Sequence, residues 1–287
     1  MSPSLAETRA GVVGAGLMGA EIALTFALAG MDVLLSDRDP AALEAALARL
    51  STLVDRGISR GFYTEADRAA LDRLRPTADL ADFADRDLVT EAVFESLDVK
   101  RDVLAALDRA CPAACIIASN TSTLPISTLS AALAPERRPR FLGTHYFSPV
   151  SRMRLVEVVP AFDTDPAIVA RTIAILERAG KQPIAVKDVA GFAVNRMLHA
   201  MLIEAVKLVE EGVATPEDLD TACRLGLGHP IGPFALMDNV TSGLCLQVQE
   251  ILQDCYGERF RPPALLKQRV AAGYSGGRGK PGWLVKD

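Results

Sequence analysis

The sequence predicts an α/β fold: a doubly wound, mostly parallel sheet followed by an all-α C-terminal domain. The first observation is a glycine motif, Gly14–Gly19, that lies between a buried apolar run and an apolar helix. The second is that strand and helix patterns alternate as far as Val186, as β–α–β units require. The third is that only helical periodicity continues beyond that point. We therefore expect a Rossmann-type domain over residues 1–187 and an all-α domain over residues 188–287.

The glycine motif has the form G-x-G-x-x-G, which is specific only when a strand precedes it and a helix follows. Both flanking patterns are present here. Gly14 permits the tight turn, Gly16 lets the backbone approach a pyrophosphate, and Gly19 lets the helix pack closely on the strand. The helix N-terminus then offers N–H groups to the phosphates. Leu17 and Met18, inside the motif, are expected to lie along the bound dinucleotide.

An acidic residue, Asp37, ends the second predicted strand, 18 positions after Gly19. A carboxylate at this place accepts both hydroxyls of the adenosine ribose and repels a 2′-phosphate. This arrangement predicts NAD as the cofactor. Arg38, beside it, would instead meet the 2′-phosphate of NADP, and the sequence leaves that alternative open.

The composition limits the class of protein. The chain has 287 residues, 49% of them hydrophobic, which is ample for a packed core. A net charge of −5 and a pI near 5.4 argue against a nucleic-acid partner. The N-terminal residues 1–7 resemble neither a signal nor a transit peptide, and the five cysteines form no C-x-x-C pair. We expect a cytoplasmic protein with reduced thiols, no membrane span and no metal site.

The strands are predicted where short apolar runs are bounded by turn residues. The helices are predicted where a capping residue or a proline precedes an amphipathic run, as at Asp39-Pro40, Asp165-Pro166 and Thr215-Pro216. The predicted strands are 10–13, 32–37, 87–93, 115–119, 141–147, 154–159 and 183–186. The predicted helices after the glycine motif are 40–56, ending at Gly57, then 64–74, one from 96 through 107 that halts before Pro112, 166–180, 192–211, 216–225, one within 232–256, and 262–272.

Residues 40–75 form a helical excursion longer than a β–α–β unit needs. It carries many basic side chains: Arg49, Arg56, Arg60, Arg68, Arg73 and Arg75. Two interpretations remain open from the residues alone. The excursion is either a solvated helical hairpin or a clamp for a phosphorylated tail of the substrate.

His145 is the histidine of the predicted sheet, and Glu157 lies on the strand that follows it. The link between the two strands has about six residues, too few for a parallel crossover, so the strands should be antiparallel if they pair. A histidine in a strand is more often structural than catalytic. A histidine facing a carboxylate in a nicotinamide-binding fold is, however, a common device for moving the hydroxyl proton that accompanies hydride transfer.

Several further segments, in order, resemble the 3-hydroxyacyl-CoA dehydrogenase family in its short single-function form. They cover nearly the whole chain: the glycine motif, 91–95 with Lys100, 119–122, 143–149, 155–159, 191–196 and 226–233. The resemblance implies an NAD-dependent oxidoreductase that interconverts a 3-hydroxyacyl thioester and its 3-ketoacyl form, 3-hydroxybutyryl-CoA and acetoacetyl-CoA above all.

The resemblance also implies roles for individual residues. His145 exchanges the proton, and Glu157 orients the His145 ring. Ser122 and Asn195 bind the reacting oxygen. Asp37 binds the adenosine ribose, Glu95 and Lys100 lie along the cofactor, and the helical excursion touches the CoA end of the substrate. The C-terminal helices, rich in Leu, Val, Met and Ala, predict a homodimer formed mainly through that domain.

The sequence departs from the family pattern at Ser148, usually Asn, over residues 238–243, which are more polar, and in the tail, 279–285. These changes leave open a different acyl group or an acyl carrier protein in place of CoA. A non-catalytic, crystallin-like relative is a second alternative. A third is the class of 3-hydroxyacid dehydrogenases with a helix lysine four residues before an Asn, but Gly191 occupies that position before Asn195.

Overall fold

The computed structural model describes residues 7–284, and eight strands form one sheet within it. The strands are β1 (Arg9–Val13), β2 (Asp32–Ser36), β3 (Leu74–Thr77), β4 (Leu88–Glu91), β5 (Ile116–Ser119), β6 (Phe141–Tyr146), β7 (Leu155–Pro160) and β8 (Gln182–Ala185). Their order is β3-β2-β1-β4-β5-β6-β7-β8. All neighbours are parallel except β6 and β7, which are antiparallel. The predicted Rossmann-type sheet is confirmed.

The helices divide between two compact units, one up to Val189 and one from Ala190. The first unit contains α1 (Leu17–Leu28), α2 (Pro40–Ser59), α3 (Leu97–Ala110), α4 (Ile126–Ser130) and α5 (Pro166–Arg178). The second contains α6 (Val194–Glu210), α7 (Pro216–Gly226), α8 (Pro233–Val240), α9 (Ser242–Tyr256) and α10 (Ala264–Ala271). The second unit is helical, as the sequence predicts.

Apolar side chains build a separate core in each unit. In the first, residues of α1, α2 and α5, such as Phe26, Leu50 and Leu176, pack with the buried residues of the sheet. In the second, α6, α8 and α9 contribute to a core around Phe234 and Trp283, whose ring centroids lie 4.9 Å apart. None of the helices within residues 7–284 is long and apolar enough to cross a membrane.

The antiparallel pairing of β6 and β7 is confirmed, and its register matters for the site. His145 lies directly opposite Glu157, and Tyr146 lies opposite Val156. Side chains of directly opposed residues share a face of the sheet. The pairing therefore places the imidazole and the carboxylate side by side.

The excursion after β2 differs from the prediction in three places. Helix α2 continues past Gly57 to Ser59, and the absent side chain of Gly57 makes room for the Tyr63 ring. Thr64 and Asp67 form a capping box, but the segment that it starts is a 3₁₀ helix, Glu65–Arg73, in place of the predicted helix. A short edge strand, β3, follows where the sequence predicts helix and loop. The sequence does not predict this strand because Pro76 argues against one. Proline is tolerated in strands mainly at a sheet edge, which is where β3 lies.

The helix predicted within residues 232–256 is two helices, α8 and α9. Thr241 separates them with a φ of 80°, which a helix cannot accommodate. Its hydroxyl accepts a hydrogen bond from Leu244 N at 3.2 Å and so caps α9. The predictions about a targeting peptide and about the end of the tail fall partly on residues 1–6 and 285–287, which lie outside the described residues.

Candidate active site

The order of the sheet reverses between β1 and β4, so the loops that follow these two strands lie at a topological switch point. In open α/β sheets ligands bind at such a switch point, beyond the carboxyl ends of the strands. The glycine loop follows β1, and Ala92 N donates to Val13 O at 2.7 Å. A loop that begins at Asn120 follows β5, and Asn120 N donates to Glu91 O at 2.8 Å. The predicted site residues of the first unit come from the loops after β1, β2, β4 and β5, from the start of α3 and from β6 and β7.

The three glycines of the motif serve different purposes. Gly14 has a φ of 104°, and a Cβ there would lie 2.6 Å from Ala92 O. A Cβ on Gly19 would lie 1.9 Å from Gly14 O, so both positions require glycine for the fold itself. A Cβ on Gly16 would meet no protein atom within 4 Å. The open space at Gly16, at an N-terminus of α1 without a side-chain cap, fits a pyrophosphate.

Asp37 lies beside this loop and is half-buried. Its Oδ2 accepts a hydrogen bond from Ala15 N at 2.8 Å, and its Oδ1 accepts one from Asp39 N at 3.1 Å. The carboxylate is thus held at the end of β2, where an adenosine ribose would be bound. Sequence reasoning placed Arg49 only in the basic excursion, whereas its guanidinium donates to Ala15 O at 3.1 Å and to Gly16 O at 3.3 Å.

His145 and Glu157 form a buried pair. The imidazole Nδ1 lies 2.7 Å from Glu157 Oε2. The Glu157 side chain has no exposed surface, and the His145 side chain is 8% exposed. The Phe147 ring packs against the imidazole, with 4.5 Å between centroids. A carboxylate on Nδ1 fixes the tautomer and the orientation of the ring, so proton exchange with a ligand falls to Nε2.

The other two histidines have different surroundings. His199 lies within α6, and burial lowers its pKa to about 4, so the ring is neutral near pH 7. His229 is half-buried in the segment between α7 and α8. Within residues 7–284, no group of three or more His, Cys, Asp or Glu side chains is arranged to hold a metal ion.

Ser122 is half-buried in the loop after β5, and its amide donates to Glu95 Oε1 at 2.8 Å. Lys100 is fully buried, and its Nζ lies 2.8 Å from Glu91 and 3.3 Å from Glu95. A direct contact of Glu95 or Lys100 with the cofactor stays a prediction. Asn195 is half-buried in the first turn of α6, in the second unit, and its part in the site also stays a prediction.

A pocket of about 850 Å³ lies between α2 and the loop that joins β6 to β7. Its walls include the side chains of Phe62 and Tyr63 and one carboxylate, Glu21. Its remaining charged residues are five arginines: Arg49, Arg56, Arg60, Arg152 and Arg154. The Arg152 guanidinium lies over the Phe62 ring, 5.0 Å from its centroid. The pocket is therefore strongly cationic.

A Rossmann-type sheet, a glycine loop with room for a pyrophosphate and a carboxylate at the end of β2 define a dinucleotide-binding oxidoreductase. Comparison with known proteins gives its family. Residues 9–189 match the model of the 3-hydroxyacyl-CoA dehydrogenase NAD binding domain, and residues 191–285 match that of the C-terminal domain. The chain belongs to the 3-hydroxyacyl-CoA dehydrogenase family. It is an NAD-dependent oxidoreductase.

Individual relatives cover almost the whole chain. A 3-hydroxybutyryl-CoA dehydrogenase of Mycobacterium tuberculosis is 41% identical and spans 94% of this chain and 96% of its own length. A probable 3-hydroxybutyryl-CoA dehydrogenase of Bacillus subtilis is 39% identical over 93% of this chain and 94% of its own. The crystal structure of an (S)-3-hydroxybutyryl-CoA dehydrogenase from Ralstonia eutropha superimposes with a TM-score of 0.92, at 38% identity, over 97% of this chain and 99% of that chain.

Proposed function

We propose that the protein interconverts 3-hydroxyacyl and 3-ketoacyl thioesters, with 3-hydroxybutyryl-CoA and acetoacetyl-CoA as its substrate pair. The single observation that carries the proposal is the buried pair of His145 Nδ1 and Glu157 Oε2, 2.7 Å apart. The relatives whose names specify 3-hydroxybutyryl-CoA support the choice of substrate.

The chemistry requires a proton acceptor beside the reacting carbon. When bound, the nicotinamide supplies hydride transfer at C3 of the acyl group. In oxidation, the neutral His145 accepts the hydroxyl proton at Nε2, because Glu157 engages Nδ1. Glu157 then stabilises the imidazolium that forms. In reduction, Nε2 returns the proton to the ketone oxygen.

The remaining predicted residues complete this site. We assign the Ser122 hydroxyl and the Asn195 amide to hydrogen bonds with the reacting oxygen, which orient C3. The cofactor would lie along the glycine loop with Leu17 and Met18, and its adenosine ribose would be bound by Asp37. Leu17 is 66% exposed, which suits contact with a ligand.

The arginine pocket favours the clamp over the solvated hairpin as the interpretation of the helical excursion. CoA carries a pyrophosphate and a 3′-phosphate on its adenosine, and guanidinium groups bind phosphates through bidentate hydrogen bonds. An acyl carrier protein presents the same thioester arm without the adenosine. Five arginines around one pocket therefore support CoA as the carrier.

One assay tests both the reaction and the carrier. NADH oxidation should be measured with acetoacetyl-CoA and with acetoacetyl-pantetheine, which lacks the adenosine phosphates. Combined Arg56→Ala and Arg60→Ala should raise KM for the CoA ester about tenfold or more, the scale of two lost charge-assisted contacts. The same variant should leave KM for the pantetheine ester unchanged. Arg73→Ala, an exposed arginine of the excursion outside the pocket, is the matched control.

The outcomes separate the alternatives. Turnover of both esters without an effect of the arginine variant would exclude the pocket as the CoA clamp and favour a carrier protein. The absence of turnover with either ester, while NADH still binds, would contradict the proposed reaction and favour a non-catalytic relative.

We further propose that the protein is a cytoplasmic homodimer assembled through the second unit. Large apolar side chains of that unit are exposed, notably Met197, Val213, Leu225 and Leu227, at 63–81%. Exposed apolar surface of this kind is typical of subunit interfaces. The cytoplasmic location rests on the cysteine usage described above.

A further inference from the structure

Three charged side chains meet where β4 ends and α3 begins: Glu91, Glu95 and Lys100. The Glu91 and Lys100 side chains have no exposed surface, whereas that of Glu95 is 35% exposed. Lys100 Nζ lies 2.8 Å from Glu91 Oε1 and 3.3 Å from Glu95 Oε2. One buried ammonium group therefore pairs with two carboxylates, of which only Glu95 is partly exposed.

Both oxygens of the Glu91 carboxylate accept further hydrogen bonds besides the contact with Lys100. Its Oε1 also accepts a hydrogen bond from Val93 N at 2.7 Å, and its Oε2 accepts one from Ser119 Oγ at 2.6 Å. A buried charge is stable only when its partners are in place, so these bonds hold Glu91 in one position. Lys100 is fixed in turn, because its Nζ also donates to Val93 O at 3.3 Å.

Glu95, held by Lys100, in turn fixes the loop after β5 through hydrogen bonds. A single oxygen, Oε1, accepts hydrogen bonds from three successive residues: Thr121 Oγ1 at 2.6 Å, Ser122 N at 2.8 Å, Thr123 N at 3.0 Å and Thr123 Oγ1 at 3.0 Å. Ser122 Oγ lies 3.4 Å from the same oxygen. Burial acts to raise the pKa of Glu95, but the Lys100 ammonium and these donors outweigh it and hold that pKa below its ordinary value. The acceptor is therefore charged near pH 7.

The same loop is tied to the strand that carries the histidine. Tyr146 N, directly after His145, donates to Asn120 Oδ1 at 3.0 Å. Thr121 Oγ1 also accepts a bond from Leu124 N at 3.0 Å. The loop that carries Ser122 is thus held between the charged cluster and β6.

We propose that Glu95 and Lys100, anchored by Glu91, are positioning residues that set the conformation of the Ser122 loop. The inference rests on the proposed function, in which the Ser122 hydroxyl binds the reacting oxygen. Without Lys100, Glu95 loses the partner that fixes it, and three residues lose a fixed acceptor. The role differs from the direct cofactor contact that the family resemblance implies.

Amide hydrogen exchange tests the positioning without any substrate. In Lys100→Met and in Glu95→Gln, the Ser122 and Thr123 amides should exchange about tenfold faster or more, whereas the amides of β2 should not change. Arg137→Met is the matched control, since Arg137 is also a buried cation, paired with Asp108 at the opposite end of β5. It should leave the Ser122 and Thr123 amides unchanged relative to the rest of the domain.

Kinetic coupling tests whether the effect on chemistry passes through Ser122. Glu95→Gln should lower kcat about tenfold or more, within the ~10²-fold that a misplacement of about 1 Å costs. In a Ser122→Ala background the same change should cost less than about threefold, because residues that act as one unit are not additive. A merely structural defect would lower kcat by the same factor in both backgrounds.

Unchanged exchange at Ser122 and Thr123, or losses in kcat that multiply, would overturn the inference. If Lys100→Met fails to fold, Glu95→Gln decides the question, because its side chain is partly exposed and the substitution keeps its size. A wild-type protein without activity on acetoacetyl-CoA would contradict the proposed function but would leave the exchange experiment decisive for the loop.

Discussion

At the scale of single residues, we propose that Asp37 determines which dinucleotide is accepted. Its two oxygens are held by Ala15 N and Asp39 N, so the charge is fixed where a 2′-phosphate would lie. Asp37→Asn should therefore raise the affinity for NADPH relative to NADH about tenfold, equivalent to about 1.4 kcal/mol. Fluorescence titration with both reduced cofactors measures the ratio.

The neighbouring carboxylate provides the control for this change. Asp39→Asn removes a charge two residues away but keeps the oxygen that caps α2 at Ala41 N, so the ratio should stay near that of the wild type. Equal or tighter binding of NADPH by the wild type would show that Arg38, not Asp37, governs the ribose site.

Much of the residue-scale site follows from the sequence, because the glycines, Asp37 and His145 occupy positions with a known mechanical purpose. Arg49 does not, since its contact with the glycine loop depends on how α2 crosses that loop. The sequence analysis named Glu95 and Lys100 through the family resemblance but did not predict their pairing with each other and with Glu91, because a buried lysine looks like any surface lysine until its partners are placed.

At the scale of elements, Gly57 shows how a tertiary contact overrides a local stop signal. Glycine in a helix interior is disfavoured by roughly 0.5–1 kcal/mol relative to alanine, which made Gly57 the expected end of α2. The helix nevertheless continues to Ser59, and the missing side chain of Gly57 leaves room for the Tyr63 ring, since a Cβ there would lie 2.1 Å from it. Sequence alone gave no means of seeing that the ring returns onto the helix.

This contact predicts that the effect of Gly57→Ala on stability changes sign when Tyr63 is removed. Gly57→Ala should lower the free energy of unfolding by about 1–3 kcal/mol, the usual range for overpacking. In a Tyr63→Ala background the same substitution should instead raise it by up to about 1 kcal/mol, through helix propensity. Urea denaturation of the four proteins measures both effects. A stabilising Gly57→Ala in the wild type would show that the ring does not occupy this space.

The antiparallel hairpin of β6 and β7 was predictable from the short link, but its register was not. A shift of one residue would send the histidine and the glutamate to opposite faces of the sheet. The structure pairs His145 with Glu157 directly, and the register is therefore what creates the pair.

At the scale of the whole molecule, the apolar surface of the second unit predicts association. Light scattering at micromolar concentration should give a mass near twice the 30.6 kDa of one chain. Combined Leu225→Glu and Leu227→Glu should lower the mass toward one chain, because a buried carboxylate is costly. Phe162→Glu, at a 90% exposed apolar residue of the first unit, should leave the mass unchanged. A wild-type mass near 30.6 kDa would contradict the homodimer.

The central claim is that His145 and Glu157 act as one unit that moves the hydroxyl proton. Oxidation needs the neutral imidazole and reduction needs the imidazolium, so kcat/KM should rise with pH in the first direction and fall in the second.

The double-mutant cycle on turnover of acetoacetyl-CoA tests the claim most directly. His145→Gln should lower kcat about 10²-fold or more, Glu157→Gln should also lower it, and the double variant should be little slower than His145→Gln alone. Near-normal turnover in His145→Gln, or losses that multiply in the double variant, would contradict the account.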